Sequence, residues 1–304
     1  MKNDEVQTVD ATQRTAEHYT DQWGSGVNFQ GFVEANPAAA MVMPGRQLGW
    51  ANLFERIRRQ AAVRPTTVYD AGCGFGDIAR RLLVEPIPAH IDYLGADIHG
   101  SIATIDAPPT ARFEQADMAE RLPGNRLFDF IVCRAALHHT PDPFKTYETL
   151  ASQLAPGGTL AVSVYAKKTP MREAVDDALR AKIVPMNNDD AWNAADQFTR
   201  LGRDLQASAG MIEITADMPL LGIKAGNYTV QDFIYDHFIK CWHNRQFSKQ
   251  HCDLVNFDWY HPPYAHRYTV DEFAGMAIDN GLTIVSQKSI TAQHYMEATR
   301  SAQD

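Results

Sequence analysis

Residues 68–77 read Val-Tyr-Asp-Ala-Gly-Cys-Gly-Phe-Gly-Asp, and this stretch constrains the fold more than any other. An apolar run, Thr67-Val68-Tyr69, ends in Asp70. Gly72, Gly74 and Gly76 follow at alternate positions, and an amphipathic helical pattern begins near Ile78 and runs through Leu82 and Leu83. The pattern predicts a buried parallel strand, a tight glycine turn and a helix N-terminus. Glycine permits positive φ and removes the side chain where a ligand must meet the main chain. A dinucleotide fingerprint is spaced G-x-G-x-x-G, whereas the spacing here is G-x-G-x-G with an acid before it. No Gly-Lys-Ser/Thr follows, so the turn is not a P-loop. An acid at the strand tip repels a phosphate pair and suits a ligand bearing an ammonium or sulfonium. By itself, the turn also fits any α/β protein.

The downstream sequence narrows the choice. Ile91–Asp97 reads as a second strand ending in an acid, which can accept hydrogen bonds from both hydroxyls of a ribose. Arg112–Met118 reads as a third, with Asp117 at its tip, and Phe128–Cys133 as a fourth that runs into Arg134 and on to His138 and His139. A helix is predicted from about Pro143 to Leu154, and Pro156-Gly157-Gly158 turns the chain into a fifth strand, Thr159–Tyr165. In an open parallel sheet the strand tips line the ligand crevice at the switch point of strand order. Asp70, Asp97, Asp117 and Cys133-Arg134 are therefore expected to form one site.

Asp70-Ala-Gly-Cys-Gly-Phe-Gly76, Gly95-Ala-Asp97, Ala116-Asp117-Met118, Leu137-His-His-Thr-Pro-Asp-Pro143 and Leu154-Ala-Pro-Gly-Gly158 resemble, in order, the motifs of class I S-adenosylmethionine-dependent methyltransferases. The ubiquinone/menaquinone type is nearest. The resemblance covers about residues 60–166 and 267–287. It implies an α/β, Rossmann-like doubly wound sheet, mostly parallel. It also implies that Asp70, Gly72, Cys73, Gly74 and Gly76 face the methionine half of S-adenosylmethionine, and that Asp97 holds the ribose. Asp117 would reach the adenine amino group with Met118 against the ring, and Cys133 and Arg134 would offer backbone groups near the ammonium. Ile98 departs from the bulkier residue many relatives carry there, but can still pack on adenine.

The parts outside this core predict four segments: a helical cap over residues 1–62, the core over 63–166, a helical insert or lid over 167–266, and the end of the core over 267–304. Residues 1 to about 12 are expected to be disordered. The insert shows helical stretches near Met171–Val184, Ala191–Ala209 and Val230–Lys240, and it is rich in aromatics and histidine. Long insertions over a site commonly form lids, and aromatic patches also mark interfaces, so a homodimer is the rival role. Tyr19 and Trp23 from the cap, and Tyr260 and Tyr264 from the end of the insert, are candidate acceptor contacts. His261-Pro262-Pro263-Tyr264 resembles the Pro-Pro-Tyr of amino-group methyltransferases. That motif, however, belongs at the fourth strand tip, which here reads Cys133-Arg-Ala-Ala-Leu-His-His139.

Methylation of oxygen or carbon needs a proton removed, most often by histidine. His138, His139, His261 and His266 are the candidates, with a loop-holding role as the alternative for His138 and His139. His237, Cys241, His243, His251 and Cys252 lack the paired spacing of a zinc site, so no metal is expected. The net charge of −9 and the absence of a basic block argue against a nucleic-acid acceptor. No apolar run reaches the ~20 residues of a membrane span. Four scattered cysteines and a polar N-terminus suit a reduced, cytoplasmic protein. The expected function is methyl transfer from S-adenosylmethionine to a small molecule, at a hydroxyl or at carbon. The alternatives are another reaction of the same cofactor, such as cyclisation or decarboxylation, and a non-catalytic subunit that binds it.

Overall fold

The computed structural model describes residues 13–20, 22, 48–86, 88, 90–105 and 110–302. The expected disorder of residues 1–12, and Trp23, lie outside that set. The described chain divides into two units. One runs through Ala166 and resumes at His266, and the other holds Lys167–Ala265.

The first unit is built on a sheet in the order β3-β2-β1-β4-β5-β10-β9, with β8 pairing β5. Its strands are β1 Thr66–Ala71, β2 Ile91–Asp97, β3 Ala111–Gln115, β4 Phe128–Arg134, β5 Leu154–Ala166, β8 Arg267–Tyr268, β9 Thr283–Ser289 and β10 Gln293–Thr299. The first five and β8 pair in parallel, while β10 runs antiparallel to both β5 and β9. Strand order reverses between β1 and β4, where Asp70 lies opposite Gly95 on one side and Val132 on the other.

The central strands are near-continuous apolar runs because both faces are covered. Alternate side chains go to opposite faces. Val68, Phe130, Val132 and Ala161 pack under helices Trp50–Ala61 and Asp77–Leu82 with Leu53, Ile57 and Leu82. Tyr69, Ile131, Cys133, Leu160 and Val162 pack on the other face with Leu150, Phe273 and Met276, from helices Pro143–Ser152 and Val270–Asp279. Those two helices start where their sequences stipulate. Asp142 caps the first, with proline in its opening turn, and Thr269 and Glu272 form a capping box on the second.

The second unit contains helices Pro170–Ile183, Asn188–Ala207, Val230–His237 and Lys249–Tyr260, each capped by a Thr, Asn or Ser side chain. A two-stranded antiparallel ribbon, β6 Met211–Ile214 with β7 Gly226–Thr229, completes its regular elements. Trp192 stacks on Phe257 and Phe198 on Tyr260, both at 4.2 Å between ring centroids. Gly202 lets the long helix close on the chain at Cys241, since a Cβ there would stand 2.1 Å from the Cys241 carbonyl oxygen. The buried Arg180 guanidinium donates to the carbonyls of Trp259 at 2.6 Å and Pro262 at 2.7 Å, and so pins the chain leaving the last helix. The first three helices fall where the sequence predicts them. Helix Lys249–Tyr260 and the ribbon were not anticipated. No described helix is long and apolar enough to cross a membrane.

Candidate active site

The glycine turn leaves β1 with Gly72, Gly74 and Gly76 all at positive φ, between 52° and 76°. The backbone amides of Gly72 and Cys73 donate to the Ala96 carbonyl at 2.8 and 3.0 Å, which ties the turn to the tip of β2. A Cβ on Gly72 would fall 2.4 Å from Ala136 Cβ and 2.7 Å from Met118 Cε, so only glycine lets the turn meet the segments that follow β4 and β3. Met118 also touches the Cys133 thiol, at 3.7 Å between sulfurs.

Asp70 is fully buried at the tip of β1. Its Oδ2 accepts a hydrogen bond from the Tyr93 hydroxyl, and its Oδ1 is buried with no partner. Burial pushes the carboxyl up to about 7, against the pull of the Tyr93 hydrogen bond and the Arg134 charge. Asp97, buried at the tip of β2, accepts from the Gly74 amide at 2.8 Å and from the His99 amide at 3.3 Å. His99, fully buried, places Nε2 3.1 Å from the Gly74 carbonyl oxygen. Asp117 lies two residues beyond the end of β3 and accepts from the Ala119 amide at 2.9 Å. Burial raises its carboxyl also. Ile98 is half-buried, and its carbonyl accepts from Gln115. The Arg134 side chain forms an ion pair with Asp77, which Arg81 also contacts at 3.2 Å. The expected cofactor set is thus brought to one locus. Tyr93, Asp77 and His99 support it and were not singled out from the sequence. His99 follows Asp97 by two residues, a signal that was there to be read.

A second group gathers beyond β4. Ala135 is held at φ 56°, in the left-handed region, and its amide donates to Ser163 Oγ at 3.0 Å. An alanine there carries strain of about 1 kcal/mol, a feature that concentrates at functional sites. His138 follows, fully buried, with both ring nitrogens lacking a hydrogen-bond partner. Its ring lies 3.8 Å from that of Tyr165 and 4.2 Å from that of His139. Its carbonyl accepts from the His266 amide at 2.9 Å. Burial, with His139 and His266 nearby, holds the His138 imidazole well below its usual pKa and therefore neutral. Tyr19 meets the His139 ring edge-on at 5.6 Å, and Thr20 accepts from the Gly100 amide past β2. Residues 13–20, which are helical, thus reach the strand tips.

His261, Tyr260 and Tyr264 belong to the other unit. The expectation of an acceptor contact gives way at Tyr260. That residue is 1% exposed, and its hydroxyl is engaged with Asp176 Oδ1 and the Lys240 carbonyl oxygen, each at 2.9 Å. His261 is buried with Nε2 3.1 Å from the Met186 carbonyl oxygen. Tyr264 is half-buried. Among the described residues no group of three or more His, Cys, Asp or Glu side chains could hold a metal ion.

A family model described as a methyltransferase domain matches residues 45–206, just over half of the chain. Among curated proteins, the chain is 33% identical over 114 residues to trans-aconitate 2-methyltransferase of Variovorax paradoxus, covering 37% of this chain and 42% of that one. It is 28% identical over 123 residues to malonyl-[acyl-carrier protein] O-methyltransferase of Halalkalibacterium halodurans, covering 38% and 45%. It is 27% identical over 142 residues to ubiquinone biosynthesis O-methyltransferase of Burkholderia ambifaria, covering 45% and 54%. The chain therefore spans about half the length of the curated relatives it matches. Magnesium protoporphyrin IX methyltransferase from Synechocystis PCC 6803, solved with bound SAM, superposes with a TM-score of 0.47 at 14% identity, covering 96% of this chain and 97% of that one.

Proposed function

The chain belongs to the methyltransferase domain family, and on that premise we propose that it moves a methyl group from S-adenosylmethionine to a small-molecule acceptor, at a hydroxyl or at carbon. The observation that carries the cofactor half is Asp70 Oδ1, a buried carboxylate oxygen without a partner beside a turn whose backbone is bare. A buried polar atom of this kind calls for a donor, and for a carboxylate a cationic donor serves best. The methionine ammonium is such a group. Asp97 keeps lone pairs for the ribose hydroxyls after accepting from Gly74 and His99. Asp117, raised in pKa and half-buried, suits the adenine amino group, with Ile98 and Met118 as the apolar surfaces for the ring.

When bound, the cofactor supplies an activated methyl on a good leaving group. The protein's own task is then alignment, exclusion of water and, for oxygen or carbon, removal of a proton. Of the candidate histidines, His138 keeps both ring nitrogens unspent, while burial holds it well below its usual pKa and so makes it a weak base. Tyr19, His139 and His266 stand as its companions toward the acceptor. Calorimetry with S-adenosylhomocysteine tests the reading: saturable heat with the wild-type chain, lost in Asp70→Ala, is expected. A signal with NAD or ATP in its place would overturn it.

A further inference from the structure

The carboxylate at the tip of β1 sits in surroundings that do not hold its charge. Asp70 is 0% exposed. Its Oδ2 accepts from the Tyr93 hydroxyl, and its Oδ1 is buried with no hydrogen-bond partner. Among the described residues, the charged groups that act on it come from three elements. Arg134, at the end of β4, attracts, but its guanidinium is ion-paired with Asp77 of helix Asp77–Leu82. Asp77 itself, and Asp97 at the tip of β2, repel. The other titratable neighbours, Tyr69, Cys73, Tyr93 and Cys133, are buried and shifted upward, so all four are neutral at pH 7. Two negative neighbours therefore stand against one shared cation, and Tyr93 is the one donor that reaches the carboxyl.

A buried carboxyl without full compensation keeps its proton. Burial accordingly outweighs Tyr93 and Arg134 and pushes Asp70 up to about 7. We propose, resting on the S-adenosylmethionine reading above, that Asp70 carries a proton in the free protein and gives it up when the ligand's ammonium arrives, with Tyr93 as the residue that positions the ionised carboxylate. The exchange balances. The Asp70 O–H bond breaks, its proton leaves to solvent and the carboxylate keeps the electron pair. The ammonium keeps its own protons and donates a charge-assisted hydrogen bond to the oxygen left bare. Tyr93 is fully buried in β2, and its ring lies 6.0 Å from that of Phe113. The Phe113 ring fills the space that a Cβ on Gly95 or Gly76 would need, at 2.6 and 2.8 Å, so the phenol is backed by packed neighbours. Affinity then carries a pH signature. Below about pH 7 the ligand must displace a proton and binding weakens as pH falls, whereas above it the carboxylate is already ionised and affinity is level.

The test is titration calorimetry of the full chain with S-adenosylhomocysteine between pH 5.5 and 8, in pairs of buffers of different ionisation enthalpy, which count the protons exchanged. Release of about one proton per ligand at pH 6 and about a tenth of one at pH 8 is expected, with affinity about tenfold weaker at pH 6. 5′-Methylthioadenosine keeps the nucleoside and the sulfur but has no ammonium, and it is expected to release none. Tyr93→Phe removes the donor that favours the ionised form, so the pH at which affinity starts to fall moves up by about one unit. A merely structural loss would instead weaken binding equally at every pH. Binding of S-adenosylhomocysteine with no proton released at pH 6, equal release with methylthioadenosine, or a Tyr93→Phe profile parallel to wild type would each overturn the inference and leave the cofactor assignment standing. No heat from S-adenosylhomocysteine at any pH removes that assignment, and the inference with it.

Discussion

Asp70→Asn separates the cost of the candidate site from its use. Folding raises the Asp70 carboxyl from 3.8 to about 7, chiefly by burial. The folded chain therefore keeps the proton across a range where the unfolded chain has released it. Stability falls as pH rises from about 4 to 7 and is level above that. At 1.36 kcal/mol per pH unit, the ionised carboxylate costs the free protein up to about 4 kcal/mol at pH 8 and about 1.5 kcal/mol at pH 5. Asparagine removes that term and keeps an oxygen for the Tyr93 hydroxyl. Its amide, placed where Oδ1 has no partner, returns about 1–3 kcal/mol as an unsatisfied donor. The net expectation is a variant more stable by about 1–3 kcal/mol at pH 8 and no more stable than wild type at pH 5. Urea unfolding read through hydrogen exchange of β1 and β4 amides reports the sheet unit without the insert. The same variant should bind S-adenosylhomocysteine at least tenfold more weakly, through loss of the carboxylate. If the difference between variant and wild type is the same at pH 5 and pH 8, Asp70 does not carry a buried proton and the reasoning fails.

Gly72→Ala should destabilise the sheet unit by about 2–4 kcal/mol in urea unfolding, because the added Cβ meets Ala136 and Met118 well inside contact distance at a positive φ. Asp97→Ala should leave the circular dichroism spectrum unchanged and weaken S-adenosylhomocysteine about 10–100-fold by calorimetry, having removed the acceptor at the tip of β2. His138 should show no imidazole titration between pH 5.5 and 7.5 by NMR, since burial keeps it neutral; a midpoint near 6.5 would contradict its placement.

How much could be read from the chain depended on whether a residue's environment follows from its neighbours in sequence. The strands of the sheet unit declare themselves, because Val68-Tyr69 and Ile131-Val132-Cys133 are buried on both faces and flanked by glycines or acids. Asp70 and Asp97 stand out for the same reason, as acids ending apolar runs, whereas Asp117 follows the polar, half-exposed β3 and is picked out by the resemblance. Helix Lys249–Tyr260 does not stand out, because Cys252, Asp253, Leu254, Asn256, Phe257, Trp259 and Tyr260 are all buried and leave no polar face to set a period. Arg172 and Asp176 mislead in the opposite way. An Arg–Asp pair four apart on a helix reads as a solvated ion pair, yet both are 0% exposed, and only the tertiary partners Tyr235, Trp259 and Tyr260 reveal it. Tyr260, expected as an acceptor contact, instead spends its hydroxyl on that same buried acid, a partner 84 residues away that no local pattern announces.

The short strand β8 has a consequence for how such a chain diversifies. Tyr165 pairs with Arg267 and Ala166 with Tyr268, so the polypeptide departs from β5 and comes back one rung over, about 4.8 Å away. Roughly a hundred residues leave and rejoin the sheet beside that pairing. Two neighbouring hydrogen-bonded ends are what the sheet itself offers to a graft made there. One ancestral scaffold could exchange whole inserts, and with them its choice of partner molecule, while the machinery at the glycine turn stayed untouched.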